Sequence, residues 1–118
     1  TGTMVKVGLD CVDILKKNNI DAEIINIHTI KPIDADKINE SAKKFKMIAS
    51  IEEHNIVGGL GSAIAECLSI IRNSPEQLFF GINDTYSEGG EYKFLKEKFN
   101  LTADHIAKKI VSKFNESK

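Results

Sequence analysis

The sequence predicts an α/β fold: a three-layer α/β/α sandwich around a mainly parallel sheet. Apolar runs of strand length alternate along the chain with segments whose apolar residues recur at steps of three and four. One run, Ile20 to Ile30, carries isoleucines on both of its faces, as an interior strand of a parallel sheet does. The third observation is the stretch from Met47 to Ile71, which reads as strand, glycine-rich loop and helix. In an open α/β sheet such a loop lies at the carboxyl end of its strand, the edge where ligands bind.

Each element follows in order. Thr1-Gly2-Thr3 reads as a loop and helix cap, and Val5, Leu9, Val12 and Leu15 fall at helical spacing. Met4 to Leu9 also alternates like a strand, but the helical pattern is longer and runs to the polar stop Lys16-Lys17-Asn18-Asn19. The strand Ile20–Ile30 ends at Lys31-Pro32-Ile33-Asp34, since Pro32 has no N–H for a ladder. Asp34 then caps a helix with Ile38, Ala42 and Phe45 inward. Met47 to Ile51 forms the next strand. After the glycine loop, Ser62 is the expected N-cap of a helix that buries Leu60, Ile64, Cys67, Leu68 and Ile71 and stops at Asn73-Ser74-Pro75. Leu78 to Ile82 is a short strand, Gly89-Gly90 opens a helix reaching Phe99, and Thr102 caps a last helix burying Ile106, Ile110 and Phe114.

The 118 residues suffice for one domain with its own core. Hydrophobic residues make up 42% and charged residues 28%, a balance that excludes disorder. The net charge of −1 arises from interspersed acids and bases, so no field favours nucleic acid or a membrane surface. No apolar run approaches the ~20 residues of a membrane span, and no leader sequence is visible. Cys11 and Cys67 stand far apart on predicted helices, which suggests free thiols in a reducing, cytoplasmic setting.

The candidate site is the loop itself: Glu52, Glu53, His54 and Asn55, then Gly58, Gly59 and Gly61. Glycines at a helix N-terminus let a phosphate approach the backbone. Gly59-Leu60-Gly61 begins a dinucleotide-type GxGxxG, with Asp84 at about the distance of a ribose-binding acid. Ile64 replaces the third glycine, however, and two glutamates would stand beside the pyrophosphate. No GK[ST] is present, which excludes an ATP-type loop. The plainer reading is a tight turn that packs helix on strand beneath a solvated acidic rim. His54 follows two carboxylates, either of which could fix its tautomer and raise its pKa; a role at a site rim or partner contact follows. His28 and His105 lie on other elements, so the three histidines make no zinc set. No catalytic, cofactor-binding or metal-binding residue is assigned, and the polar loop Asp84–Glu88 reads as a turn before a helix.

The segment IEEHNIVGGLGSAIAE resembles the C-terminal domain of transketolase-like, thiamine-diphosphate-dependent enzymes. Upstream, TGTMVKVGLDCVDIL and AEIINIHTIKPID resemble the opening of that domain; downstream, FFGINDTYSEGGEYKFLKEKFNLTADHIAKKI resembles its close. The resemblance covers nearly the whole chain, in order, and implies one domain over residues 1–118. It implies an enzyme that moves a two-carbon ketol unit between sugar phosphates in pentose phosphate metabolism. Thiamine diphosphate and Mg²⁺ would be held by upstream domains or a partner subunit, with this domain shaping a homodimer and inactive alone. The β subunit of a 2-oxoacid dehydrogenase and deoxyxylulose-phosphate synthase are alternatives in the same superfamily. His54, directly after paired glutamates, leans toward transketolase. A free-standing flavodoxin-like module binding a phosphorylated ligand or a protein is the alternative of another class.

In that family the first helix follows a buried strand, which here would precede Thr1, so the sequence reads as a fragment. A parallel sheet lacking that strand would face a gap between Ile20–Ile30 and Met47–Ile51. Three outcomes are open: Met4–Leu9 turns to strand, a neighbouring chain inserts one, or the flanking strands close directly. The first two are favoured, because Val5, Val7 and Leu9 already alternate and exposed strand edges recruit partners.

Overall fold

The computed structural model describes residues 1–83 and 96–118. Their elements, in order, are α1 (Met4–Lys17), α2 (Ala35–Lys44), β1 (Met47–Asn55), α3 (Leu60–Leu68), β2 (Glu76–Ile82) and α4 (Ala103–Glu116). The polar loop Asp84–Glu88 and most of the helix expected from Gly89-Gly90 lie outside the described residues; residues 96–98 are helical.

β1 and β2 pair in parallel, with Met47 opposite Glu76 and Ile51 opposite Phe80. Two apolar clusters sandwich this pair, giving the three layers. On one face α1 and α4 bury Met4, Val7, Cys11, Leu15, Ile106, Ala107 and Ile110 against Met47, Ala49, Ile51, Leu78, Phe80 and Ile82. On the other, α2 and α3 bury Ile38, Leu60, Ile64 and Leu68 against Ile48, together with Ile27. The period of two assigns these faces: odd residues of β1 meet one cluster, even residues the other. Ile106 is wholly buried and Leu101 nearly so, each contributing about 1.5–3 kcal/mol by burial.

Helix caps follow the sequence in two cases. Asp34 accepts from the Lys37 N–H at 3.0 Å, and Thr102 accepts from the His105 N–H. Three expectations are corrected. Thr3 holds the cap position of α1, but its hydroxyl donates to Glu53 instead of accepting a first-turn N–H. α1 is helical over Met4–Lys17, but its buried stripe is Met4, Val7, Gly8, Cys11 and Leu15, while Leu9 is half exposed. The stripe is rotated because Met4 and Cys11 pack against α4, outcompeting the Val5–Leu9–Val12 row. Met4–Leu9 is therefore helix, not the strand favoured as a substitute for a missing one.

The third correction concerns Ile20–Ile30, which forms no strand. It runs beside β1 without ladder bonds to it, and the two do not close directly. Burial of Ile20 and Ile27 holds it down at either end. Glu23, between them, is tied to α2 by Lys44 at 2.6 Å and Lys37 at 3.4 Å. The Lys44 hydrogen bond comes first among the causes that draw the Glu23 carboxyl below its ordinary pKa. The remaining space is a cavity of about 220 Å³ between this segment and β1.

Both cysteines are free; Cys11 is buried and Cys67 half-buried. Burial pushes the Cys11 thiol up to about 11, so at pH 8 only roughly one molecule in a thousand carries the thiolate there. Ellman's reagent at that pH is expected to titrate Cys67 first and Cys11 only as the chain opens. Replacing Cys67 by Ser should remove the fast phase. Equal rates for both thiols would contradict the packing of α1 on α4.

Candidate functional site at the glycine loop

β1 extends past the expected Ile51 to Asn55, so Glu52, Glu53 and His54 are strand residues at the carboxyl end of the sheet, not loop residues. Glu52 belongs to the even face, toward α3, and is 1% exposed. Its Oε2 accepts from the Leu60 N–H at 2.8 Å and its Oε1 from the Gly61 N–H at 3.0 Å. These are two of the N–H groups that the first turn of α3 leaves without helical partners. A carboxylate there also faces the positive end of the helix dipole.

This arrangement corrects the expected cap. Gly59, not Ser62, is the N-cap residue of α3, and its lack of a side chain leaves the capping to Glu52. Ser62 sits in the first turn, where its hydroxyl donates to the Ile56 carbonyl at 3.0 Å and accepts from the Gly58 N–H at 2.9 Å. Asn55 turns the chain out of β1: its Oδ1 accepts from the Val57 N–H at 2.8 Å. The loop from Asn55 to Gly61 is thus tied by its own side chains.

The glycines have separate reasons. Gly58 has φ +77°, a conformation that side chains disfavour, with open space around it. At Gly59 a Cβ would lie 2.2 Å from Glu52 Oε2 and 2.6 Å from the Asn55 carbonyl oxygen. At Gly61 it would lie 2.4 Å from the Phe79 ring. Two residues that the sequence did not single out complete the seat. Gln77 donates to the Gly61 carbonyl at 2.9 Å, and Gly81 leaves room for Ile56 and the Glu52 stem. Their signal was the bare spacing Gln77, Phe79, Gly81 along one strand face.

Glu53 and His54 are exposed at the rim. The expectation that a carboxylate orients His54 is not met: Nδ1 lies 3.2 Å from the Asn55 carbonyl, while Glu53 accepts from Thr3. Val57 (69% exposed) stands on the same edge, and Ile70 (84% exposed) just past the far end of α3. A groove lined by Ile30, Pro32, Gly58, Ser62 and Cys67 passes beside Ile70. His28 and His105 are hydrogen-bonded to Thr29 and Thr102 respectively.

These residues do not fit a phosphate. The N-terminus of α3 already receives a carboxylate, and a diphosphate placed there would meet that charge at close range, without a lysine or arginine among the loop residues 52–62. Among the described residues, no group of three or more His, Cys, Asp or Glu is placed to hold a metal ion. No described helix is long and apolar enough to cross a membrane. What the edge offers chemically is a mixed polar and apolar rim with a firmly held backbone.

Comparison with known proteins places this geometry. The family described as "Transketolase, C-terminal domain" matches residues 1–106. The chain is 41% identical over 109 residues to the 6-deoxy-6-sulfo-D-fructose transketolase subunit of Clostridium sp. (strain MSTE9), covering 92% of this chain and 33% of that protein. It is 32% identical over 115 residues to a 1-deoxy-D-xylulose-5-phosphate synthase of Caldanaerobacter subterraneus subsp. tengcongensis, covering 98% of this chain and 18% of that one. Among solved structures it matches a split gene transketolase, described as an inactive beta4 tetramer. The TM-score is 0.83 at 35% identity, over 95% of this chain and 35% of that one. The chain spans about a third or less of the length of each of these proteins.

The glycine seat makes a stability prediction. Gly59→Ala and Gly61→Ala should each cost more than ~1 kcal/mol, because the added methyl meets backbone or a packed ring. Glu52→Ala should cost about 1–3 kcal/mol for each of the two N–H groups it leaves buried and unpaired. Urea denaturation with a shared m-value reads all three; unchanged midpoints for the glycine variants would show that the close approach is incidental.

Proposed function

The chain belongs to the transketolase C-terminal domain family, and on that premise we propose that it serves as the assembly domain of a transketolase-like transferase. The whole protein moves a two-carbon ketol unit between sugar phosphates, as in pentose phosphate metabolism, with thiamine diphosphate and Mg²⁺ held outside residues 1–118. The observation that carries this reading is the Glu52 carboxylate seated on α3: the loop best shaped for a phosphate is filled by the chain itself. The carboxyl edge, with His54, Asn55, Val57 and Gly58, is then a surface for protein. Its partners are the cofactor-binding domains or a subunit of the same enzyme, in a homodimer or a larger assembly.

Similarity to a protein named as a transketolase subunit and to a split gene transketolase supports this over a synthase. The 32% identity to a deoxyxylulose-phosphate synthase supports that as the second reading, with the same division of labour between domains. The free thiols of Cys11 and Cys67 fit a cytoplasmic location.

Calorimetric titration of the chain with thiamine diphosphate in excess Mg²⁺ tests the assignment. No heat above dilution is expected through the micromolar range, and no ketol transfer from the chain alone. A micromolar Kd, or turnover by residues 1–118, would overturn it.

A further inference from the structure

α3 buries Leu60, Gly61, Ile64 and Leu68 on the side that packs on Ile48 and α2. Another side of it carries Gly59, Ser62, Ala63, Glu66, Cys67 and Ile70, spaced at three and four as one helix face is. This face and residues 30–33 line one groove along the helix.

The sizes along that face form their own complement. Two such helices laid antiparallel across a two-fold axis pair the first position with the last, the second with the fifth and the third with the fourth. Gly59 then stands opposite Ile70, Ser62 opposite Cys67 and Ala63 opposite Glu66, so that each smaller residue receives a larger one. Both ends are ready for this. Ile70 is 84% exposed, and a Cβ placed on the neighbouring Gly58 would meet nothing within 4 Å.

Charge follows the same pattern. Lys31 and Glu66 are exposed, one on each wall of the groove. Neither makes an ion pair among the described residues. A copy turned about a two-fold axis would bring each Glu66 to the other's Lys31 wall and offset the approach of the two carboxylates near the axis. A uniformly acidic or basic segment would pair one sign and repel the other.

We propose that this face of α3 is an isologous contact, covered by the same face of a second copy of this chain with the two helices antiparallel. The inference rests on the assembly role proposed above and gives it a surface distinct from the carboxyl edge.

Sedimentation equilibrium of residues 1–118 reads the association. A dimer that dissociates in the micromolar range is expected, because a face about 17 Å long falls short of the roughly 800 Å² per partner in a standard interface. Ala63→Arg should abolish it. Glu66→Lys and Lys31→Glu should each weaken it about tenfold or more, and the two together should restore it. Both charged residues are exposed, and circular dichroism checks that each variant is folded. Mild oxidation of Ser62→Cys should give a covalent dimer through Cys67 of the other copy, and Cys67→Ser in that chain should prevent it. Positions 62 and 67 of one helix are too far apart to bond to each other.

A monomer at the highest soluble concentration overturns the proposal. So does a dimer indifferent to the single charge changes, or one that the double swap fails to restore. None of these outcomes depends on thiamine diphosphate, so the contact and the assembly role can fail separately.

Discussion

The Glu52 carboxylate on the first turn of α3 is the interaction from which the rest of the candidate site follows. A carboxylate buried to 1% exposure is costly to desolvate, and it persists only where charge-assisted hydrogen bonds satisfy its oxygens. Here both oxygens are used, and the helix dipole adds to the attraction. The geometry that permits this is strict. The carboxylate sits against Gly59, where a methyl group has no room, and the helix behind it lies close enough that Gly61 touches the Phe79 ring. Acid and glycines are therefore one device.

That device divides what was legible from what was not. The class of fold could be read because it rests on periodicity: helices repeat at three and four, strands at two, and apolar runs mark the sheet. The caps at Asp34 and Thr102 were legible because a short side chain acts on N–H groups three residues away. Glu52 acts across eight and nine residues, through a fold that must already exist, and nothing local announces it. Ser62 looked like the cap because a local rule favours it; the tertiary carboxylate took the N–H groups, and the serine was left to tie Gly58 to Ile56. The stripe on α1 shows the same contest. Val5, Leu9 and Val12 are apolar at the right spacing, yet Met4, Val7 and Cys11 pack, because the position of α4 decides which apolar row is used.

The segment Ile20–Ile30 is the opposite case, an apolar pattern that forms no ladder. Its isoleucines describe a strand buried on both faces, but only Ile20 and Ile27 are buried, while Ile24 and Ile30 are exposed. A strand, though, is a property of two edges, and side-chain burial alone supplies neither. The ion pairs of Glu23 with Lys44 and Lys37 tie the segment to α2. Surface pairs contribute little individually. Burial of Ile20 and Ile27 in the two clusters adds the larger share.

The end of β1 brings these strands of argument together. Three successive residues there serve two other parts of the chain: the Ile51 carbonyl receives Thr1 and the Glu53 carboxylate the Thr3 hydroxyl, while the Glu52 carboxylate between them receives α3. Alternation along the strand sends these contacts in different directions, so one short stretch locks the start of the chain and the glycine loop to the same sheet edge. Such an edge is poorly suited to moving around a small substrate. It is rigid, internally satisfied, and its buried charge repels the phosphate that the bare glycines invite. A protein partner asks for the opposite of a phosphate site: a fixed backbone and an exposed apolar side chain such as Val57, beside polar groups at the rim. The same carboxylate that closes the loop to anions leaves it fit for that purpose.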